Sequence, residues 1–132
     1  MAEAFGFDNE PQNISVEGNI GTTDTVIGSA SGVRLNKGVE IGTFEIKNTH
    51  NSRAFNNFEV WVKPHADSDF IKLVDDFSTE DSVMLGCTVA ADSLAANTSS
   101  ILTIRTGPID AILFKASVAS STGSALVRGR MN

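Results

Sequence analysis

The chain has 132 residues, a formal net charge of −6, 41% hydrophobic residues, a single cysteine and no tyrosine. That length suits one domain, able to bury roughly two-thirds of its unfolded surface without metals or disulfides. The acidic balance argues against a general nucleic-acid binder, which neutralises phosphates with clustered Lys and Arg, no stretch approaches the length of a membrane span, and a lone Cys87 excludes an intrachain disulfide.

Residues 1 to 13 read as an acidic arm carrying Phe5 and Phe7, ahead of a single domain from 14 to 132. The start has neither the basic nor the apolar region of a secretory signal, which points to synthesis and folding in a cytoplasm. Two aromatic rings in a polar tail are either tucked onto the domain's own surface or docked on a neighbour.

Ile14 to Glu17 and Thr25 to Val33 are weak strand signals, interrupted by Gly18, Gly21, Gly28 and Gly32. Such strands belong at sheet edges or beside bulges. In residues 38 to 50, GVEIGTFEIKNTH, Val39 and Ile41 share one phase of alternation while Phe44 and Ile46 take the other. A continuous strand there needs a bulge near Gly42 and Thr43, and it stops at Asn48. Phe58, Val60 and Val62 then alternate with Glu59, Trp61 and Lys63. Trp61 therefore lies on the polar face of its strand, where it either forms part of a binding surface or packs beneath a loop or the arm.

Ile71 to Val74 forms a short strand beyond an acidic turn. Val83, Leu85, Cys87 and Val89 alternate, which makes Cys87 a small buried hydrophobe. Residues 91 to 100, ADSLAANTSS, suit a loop anchored on the core by Leu94, although a helical turn also fits. Ile101 to Arg105 is the next strand.

Residues 107 to 130 close the chain with two alternating runs around a Ser/Thr/Gly turn, the pattern of a β-hairpin. Ile109 to Phe114 is apolar on both faces and belongs at the centre of a sheet or between two sheets. Ala125 to Arg130 has few large apolar residues and ends on Arg128 and Arg130, as an edge strand beside a partner would. About eight short strands at even spacing, with no helical period of useful length, predict an all-β antiparallel β-sandwich, immunoglobulin-like or jelly-roll.

Candidate chemistry is sparse. His50, His65, Asp67 and Asp69 match no zinc spacing and no EF-hand loop, so they read as turn residues and no metal is assigned. A Cys87/His50 nucleophile pair lacks the basic, partly exposed setting a thiolate needs. GxSxG, Walker and dinucleotide glycine patterns are absent. The chain reads as a non-enzyme with no catalytic residue and no cofactor. A carbohydrate site would need rings for stacking, and Trp61 is the single Trp. Sequons stand at Asn13 and Asn97. Charge is uneven: residues 65 to 81 sum to −5 and the last twenty, with Lys115, Arg128 and Arg130, to +3. Such a distribution reads either as a solvated acidic loop with a few basic edge residues or as opposite poles that steer copies or partners together.

The succession TFEIKNTHNSRAFNNFEVWVKPHADSDFIKLVDDF, then DSLAANTSSILTIRTGPIDAILFKASVASSTGSALVRGR, resembles small virion-associated structural proteins of tailed bacteriophages. An Asn-ended strand leads to an F-x-V-x-V strand, an LAAN-type loop precedes a strand, and a final hairpin closes on V-x-G; the likeness covers about residues 42 to 130. It implies a structural role: capsid decoration or cement, or an adaptor or accessory piece of the tail. The expectation is a decoration or cement protein of the virion, made in the host cytoplasm, that binds the major capsid protein and itself as a homo-oligomer, trimer or dimer. A tail or connector component, or a carbohydrate-binding module for host attachment, is the alternative. Phe5, Phe7, Trp61, Arg128 and Arg130 are the expected partner-binding residues. Residues 1 to 12 are expected to cross onto an adjacent subunit or the capsid, with Glu3, Asp8 and Glu10 meeting basic groups at the rim.

Overall fold

Apolar residues at every second position give ten strands across residues 11 to 132, the residues described by the computed structural model. They are β1 (Gln12–Ile20), β2 (Thr25–Val26), β3 (Val33–Arg34), β4 (Ile41–Asn48), β5 (Phe55–Lys63), β6 (Ile71–Val74), β7 (Met84–Cys87), β8 (Ser99–Arg105), β9 (Ala111–Val118) and β10 (Gly123–Met131). One antiparallel sheet, here sheet A, has the order β1-β10-β4-β8-β7; the other, sheet B, has β2-β9-β5-β6, with β3 also on β9. A 3-10 turn, Ala91–Ser93, precedes β8. The predicted all-β sandwich is what forms, with ten strands where about eight were expected.

The strand order chooses between the two expected sandwiches. β2 and β3 are two pieces of one edge strand, since both pair with β9, at Ala116 and Lys115 and at Ile112 and Ala111. Between them lies an excursion bounded by Gly28 and Gly32, both at positive φ. Counting β2 and β3 as one strand and setting aside the edge strand β7, the sheets run first-eighth-third-sixth and second-seventh-fourth-fifth. That is the double Greek key of a jelly roll. An immunoglobulin sandwich would not pair its first strand with its last, as β1 does with β10 over the full length of both strands.

The core lies between the sheets. Phe44, Ile46, Leu102, Ile104, Val127 and Met131 from sheet A face Phe58, Val60, Ile112, Phe114 and Val118 from sheet B, and every one is fully buried. Phe44 and Phe114 meet across the sandwich edge-to-face at 5.2 Å, and Phe58 meets Phe77 in the same way at 5.6 Å. Such pairs add about 0.5 to 1.5 kcal/mol beyond area burial. Leu94 caps the core as expected: it is fully buried, and its carbonyl accepts from Phe55 N at 2.9 Å and Asn48 Nδ2 at 3.1 Å.

Four local expectations are corrected. There is no bulge at Gly42: β4 begins at Ile41, which faces outward, and Gly42, Phe44, Ile46 and Asn48 face inward in one phase. Gly42 holds an inward position because the Phe44 ring covers it, so a Cβ there would lie 2.6 Å from Phe44 Cζ. The terminal hairpin does not form, because β9 belongs to sheet B and β10 to sheet A; the turn between them is an arch from one sheet to the other. Nor is β10 an edge strand: β1 and β4 flank it, and the free edges of sheet A are β1 and β7. Finally, a register shift between Met84 and Gly86 puts Met84 opposite Ile104 and Cys87 opposite Leu102, so Met84 is buried, Cys87 is half-buried and Val89 is 52% exposed.

β1 starts at Gln12, inside the segment read as arm, because Gln12 and Asn13 pair with Met131 and Arg130. Phe5 and Phe7 lie outside the described residues.

Candidate interaction surfaces

Period-2 alternation sends Glu59, Trp61 and Lys63 of β5 to the outer face of sheet B. Neighbouring strands supply their surroundings: Leu113 lies opposite Trp61, Lys115 opposite Glu59, and Lys72 comes from β6. Glu59 is only 5% exposed. Its Oε1 accepts from Trp61 Nε1 at 3.0 Å, and its Oε2 lies 3.0 Å from Lys72 Nζ. Burial alone would push this carboxyl up, but the hydrogen bonds from Lys72 and Trp61, with the Lys72 charge, outweigh it and hold Glu59 below the usual carboxylate range. Lys72 is raised in turn, chiefly by its hydrogen bond to Glu59. The Lys115 ammonium stands 4.0 Å from the centre of the Trp61 ring, with Lys72 at 5.7 Å. Trp61 is thus on the polar face as expected, and lysine side chains cover it. A sugar stacking on the Lys115 side would have to displace a cation–π contact worth about 0.5 to 1 kcal/mol.

The outer face of sheet A is larger and more open. Alternation places Asn13, Ser15 and Glu17 of β1, Arg128 and Arg130 of β10, Ile41, Thr43, Glu45 and Lys47 of β4, and Ser99, Ile101, Thr103 and Arg105 of β8 on it. Arg128 Nε donates to Glu45 Oε1 at 2.7 Å across the β10–β4 pair, and that bond lowers the Glu45 pKa. Ile101 and Ile41 are 52% and 36% exposed. Lys47, Arg105, Arg128 and Arg130 against Glu17 and Glu45 leave a net of +2 on the face of a chain that is −6 overall.

This arrangement brings Arg128 and Arg130 together as expected, but not with Trp61, which is on the opposite face. The expected basic pole at the end of the chain is likewise divided, with Lys115 on sheet B and the two arginines on sheet A. Sequence reasoning missed Lys47, Ile101 and Arg105 as companions of the arginines. Their alternation was visible, yet which strands lie side by side was not.

The remaining candidates serve the turns that hold them. His50 Nδ1 accepts from the Ser52 and Arg53 backbone amides, each at 3.1 Å, and His65 Nδ1 accepts from Asp67 N. Asp81 Oδ1 accepts from the Val83 and Met84 amides. Asp76 Oδ1 accepts from Ser78 N and Oγ, which lowers its pKa. Cys87 Sγ contacts the Val89 carbonyl and Ser100 Oγ rather than His50. Among the described residues, no three His, Cys, Asp or Glu side chains converge as a metal-binding group.

No family model and no curated protein matches the chain. Two solved structures are similar in outline. One comes from the disulfide-linked pili of Bacillus endospore appendages, with a TM-score of 0.44 and 10% identity over 93% of this chain and 87% of that one. The other comes from infectious bursal disease virus, Gx strain, with a TM-score of 0.38 and 10% identity over 92% of this chain and 33% of that one. At TM-scores this low neither likeness assigns a role.

Proposed function

We propose that this chain is a virion structural protein, a capsid decoration or cement protein that binds the major capsid protein and further copies of itself. The observation that supports it is the outer face of sheet A. Five strands about 4.8 Å apart and about seven residues long give a flat projection of roughly 550 Å². Side-chain relief brings the accessible area to the order of the 800 Å² per partner of a standard protein interface. The face mixes exposed Ile41 and Ile101 with arginines and short polar side chains. Arg is enriched in the cores of protein interfaces and Lys is depleted.

Jelly rolls serve viral capsids and lectins alike, so the fold by itself does not choose between them. The resemblance to phage virion proteins does favour one, and its range takes in β4, β7, β8 and β10, four of the five strands of this face. A tail or connector position uses the same contact chemistry and is the finer point left to experiment. The carbohydrate reading loses ground because Lys115 covers one side of the Trp61 ring. Self-association, expected to be a closed dimer or trimer, would use this face rather than strand pairing along β10, which lies between β1 and β4 and has no free edge.

The test is to quantify the protein in purified phage particles and to rebind it to heads stripped of it. Saturable rebinding at a fixed ratio to the major capsid protein is expected. Absence from the particles would overturn the virion reading; presence only in isolated tails would move the protein to the tail.

A further inference from the structure

Among the described residues the two sheets end on β1, β7, β6 and the β2 and β3 pieces. All of these edges but β1 are blunted in the ways that keep edges from pairing. β6 and β7 have four residues each and a register shift against their neighbours. β2 and β3 have two residues each and are parted by the excursion at Gly28 to Gly32. β1 is different: its nine residues, QNISVEGNI, follow β10 without a shift and contain no proline, lysine or arginine. Both ends are fastened. The Gln12 side chain donates to the Arg34 carbonyl at 2.7 Å and accepts from Asn36 N at 2.6 Å, and Gly21 N donates to Thr25 Oγ1 at 3.0 Å.

The direction of its backbone groups follows from β10. Thr49 N donates to the Ser124 carbonyl, and Ile41 and Asn132 exchange both bonds, so the even-numbered residues of β10 turn toward β4 and the odd-numbered ones toward β1. Those odd-numbered residues pair with Gln12, Ile14, Val16, Gly18 and Ile20. Asn13, Ser15, Glu17 and Asn19 therefore turn their N–H and C=O groups to the open edge, where none has a backbone partner among the described residues.

We propose that β1 pairs antiparallel with β1 of a second copy about a two-fold axis at Val16. Ser15 then faces Glu17 of the other copy and Asn13 faces Asn19, so every outward backbone group is bonded. An axis at Glu17 would strand Asn13 and set two carboxylates face to face; an axis at Ser15 would strand Asn19. Val16, half-buried in one chain, meets its counterpart at the axis in a non-hydrogen-bonded pair, where side chains come closest. Each Glu17 shares a row with Ser15 of the other copy and, one strand further, with Arg128, which lies opposite Ser15 and also holds Glu45. That arginine offsets the diagonal approach of the two Glu17 side chains. The contact extends the self-association proposed above by adding a rim to that face. It runs for about 30 Å, leaves the outer face of sheet A uncovered in both copies, and needs no capsid.

Amide exchange followed by NMR from micromolar to millimolar concentration tests it in the purified protein, so that failure here leaves rebinding to heads untouched. The Asn13, Ser15, Glu17 and Asn19 amides should exchange freely when dilute and slow about tenfold once paired chains outnumber free ones by that factor. Free exchange at every concentration would overturn the proposal, and so would protection independent of concentration, which means an edge covered within one chain. Ser15→Pro removes an outward N–H and no bond to β10, a position where an edge strand tolerates proline; it should abolish the protection at Asn13, Glu17 and Asn19, and protection that survives it would overturn the pairing. Should that variant not fold, cysteine trapping decides. In a Cys87→Ser background, Val16→Cys places two sulfurs at the axis with Cα atoms about 4.5 Å apart, within disulfide range. Crosslinks between chains are expected there and not for Ser120→Cys in a turn; equal rates for the two would overturn the proposal.

Discussion

Trp61 and Glu59 project from the same face of β5, and the indole Nε1 donates to the carboxylate Oε1 at 3.0 Å. Lys72 holds the other oxygen at 3.0 Å, so a carboxylate that is nearly buried has a partner for each oxygen. Its folded-state pKa is depressed, and its stabilisation is therefore present above the unfolded value near 4.3 and lost as pH falls through the folded value. Lys72 is raised, so its share is present below about 10.4 and lost as pH rises through its folded value.

Glu59→Gln keeps the shape and the acceptor for Trp61 but removes the charge. It should cost about 1 to 3 kcal/mol at neutral pH, nearer the lower end because the Lys72 side chain is 40% exposed and screened. The difference from the parent should be level across the neutral range and shrink as pH falls toward 3. Urea midpoints at several pH values measure it. A gap that persists undiminished in acid would mean that Glu59 is not the group titrating.

Asn48 ends β4 and is fully buried, with every polar atom of its side chain engaged. Its Nδ2 donates to the Arg53 and Leu94 carbonyls at 2.7 and 3.1 Å, and its Oδ1 accepts from His50 N at 3.1 Å. One amide thereby fixes the β4–β5 connection and the loop before β8. Asn48→Ala should destabilise by about 2 to 4 kcal/mol, since it strands buried groups as well as removing bonds. Asn48→Asp should be worse despite its similar shape, because it keeps the acceptor and replaces two donations with a buried charge facing carbonyls. Equal thermal stability of the two variants would contradict the donor assignment.

Gly129 and Gly107 make a contrasting pair. In the middle of sheet A, a Cβ on Gly129 would run into the Thr43 carbonyl oxygen and lie 2.7 Å from Phe44 Cα. Gly107 has φ +66 but open space around it. Gly107→Ala should therefore cost about 1 to 2 kcal/mol from backbone strain alone. Gly129→Ala forces two central strands apart and should cost well over about 3 kcal/mol or prevent folding. Denaturant titration of both, with soluble yield for the second, distinguishes steric conflict from conformational strain.

The sequence disclosed what depends on alternation and concealed what depends on partners. The strand holding Phe58, Val60 and Val62, the end of β4 at Asn48, the Leu94 anchor and the doubly covered strand at Ile112 and Phe114 all follow from local pattern. The arch between β9 and β10 does not, because a short polar turn between two alternating runs looks the same whether the chain returns to its own sheet or crosses to the other. Missing that arch placed Arg128 and Arg130 on an edge. The same ignorance of neighbours hid the assembly of Arg105, Ile101 and Lys47 beside them. The bulge expected at Gly42 was a misreading of phase: Ile41 is apolar but faces solvent, and glycine, which carries no hydrophobic signal, holds the inward position beneath Phe44.

The two outer faces can be separated by one comparison. Ile101→Asp with Arg105→Glu takes the outer face of sheet A from a net of +2 to −1 without touching the core, since both side chains point to solvent. Its effect on folding stability should be within about 1 kcal/mol. Binding to stripped heads, or to other copies in sedimentation, should weaken by at least about tenfold, equivalent to about 1.4 kcal/mol. Trp61→Ala should behave in the opposite sense. It removes the ring beneath Lys115 and leaves Glu59 with one donor fewer, so it should lower stability by about 1 to 3 kcal/mol and leave particle binding intact. If the sheet A pair binds normally while Trp61→Ala abolishes binding, the working surface is the Trp61 face. A glycan array probed with the parent and Trp61→Ala then decides whether its ligand is a sugar.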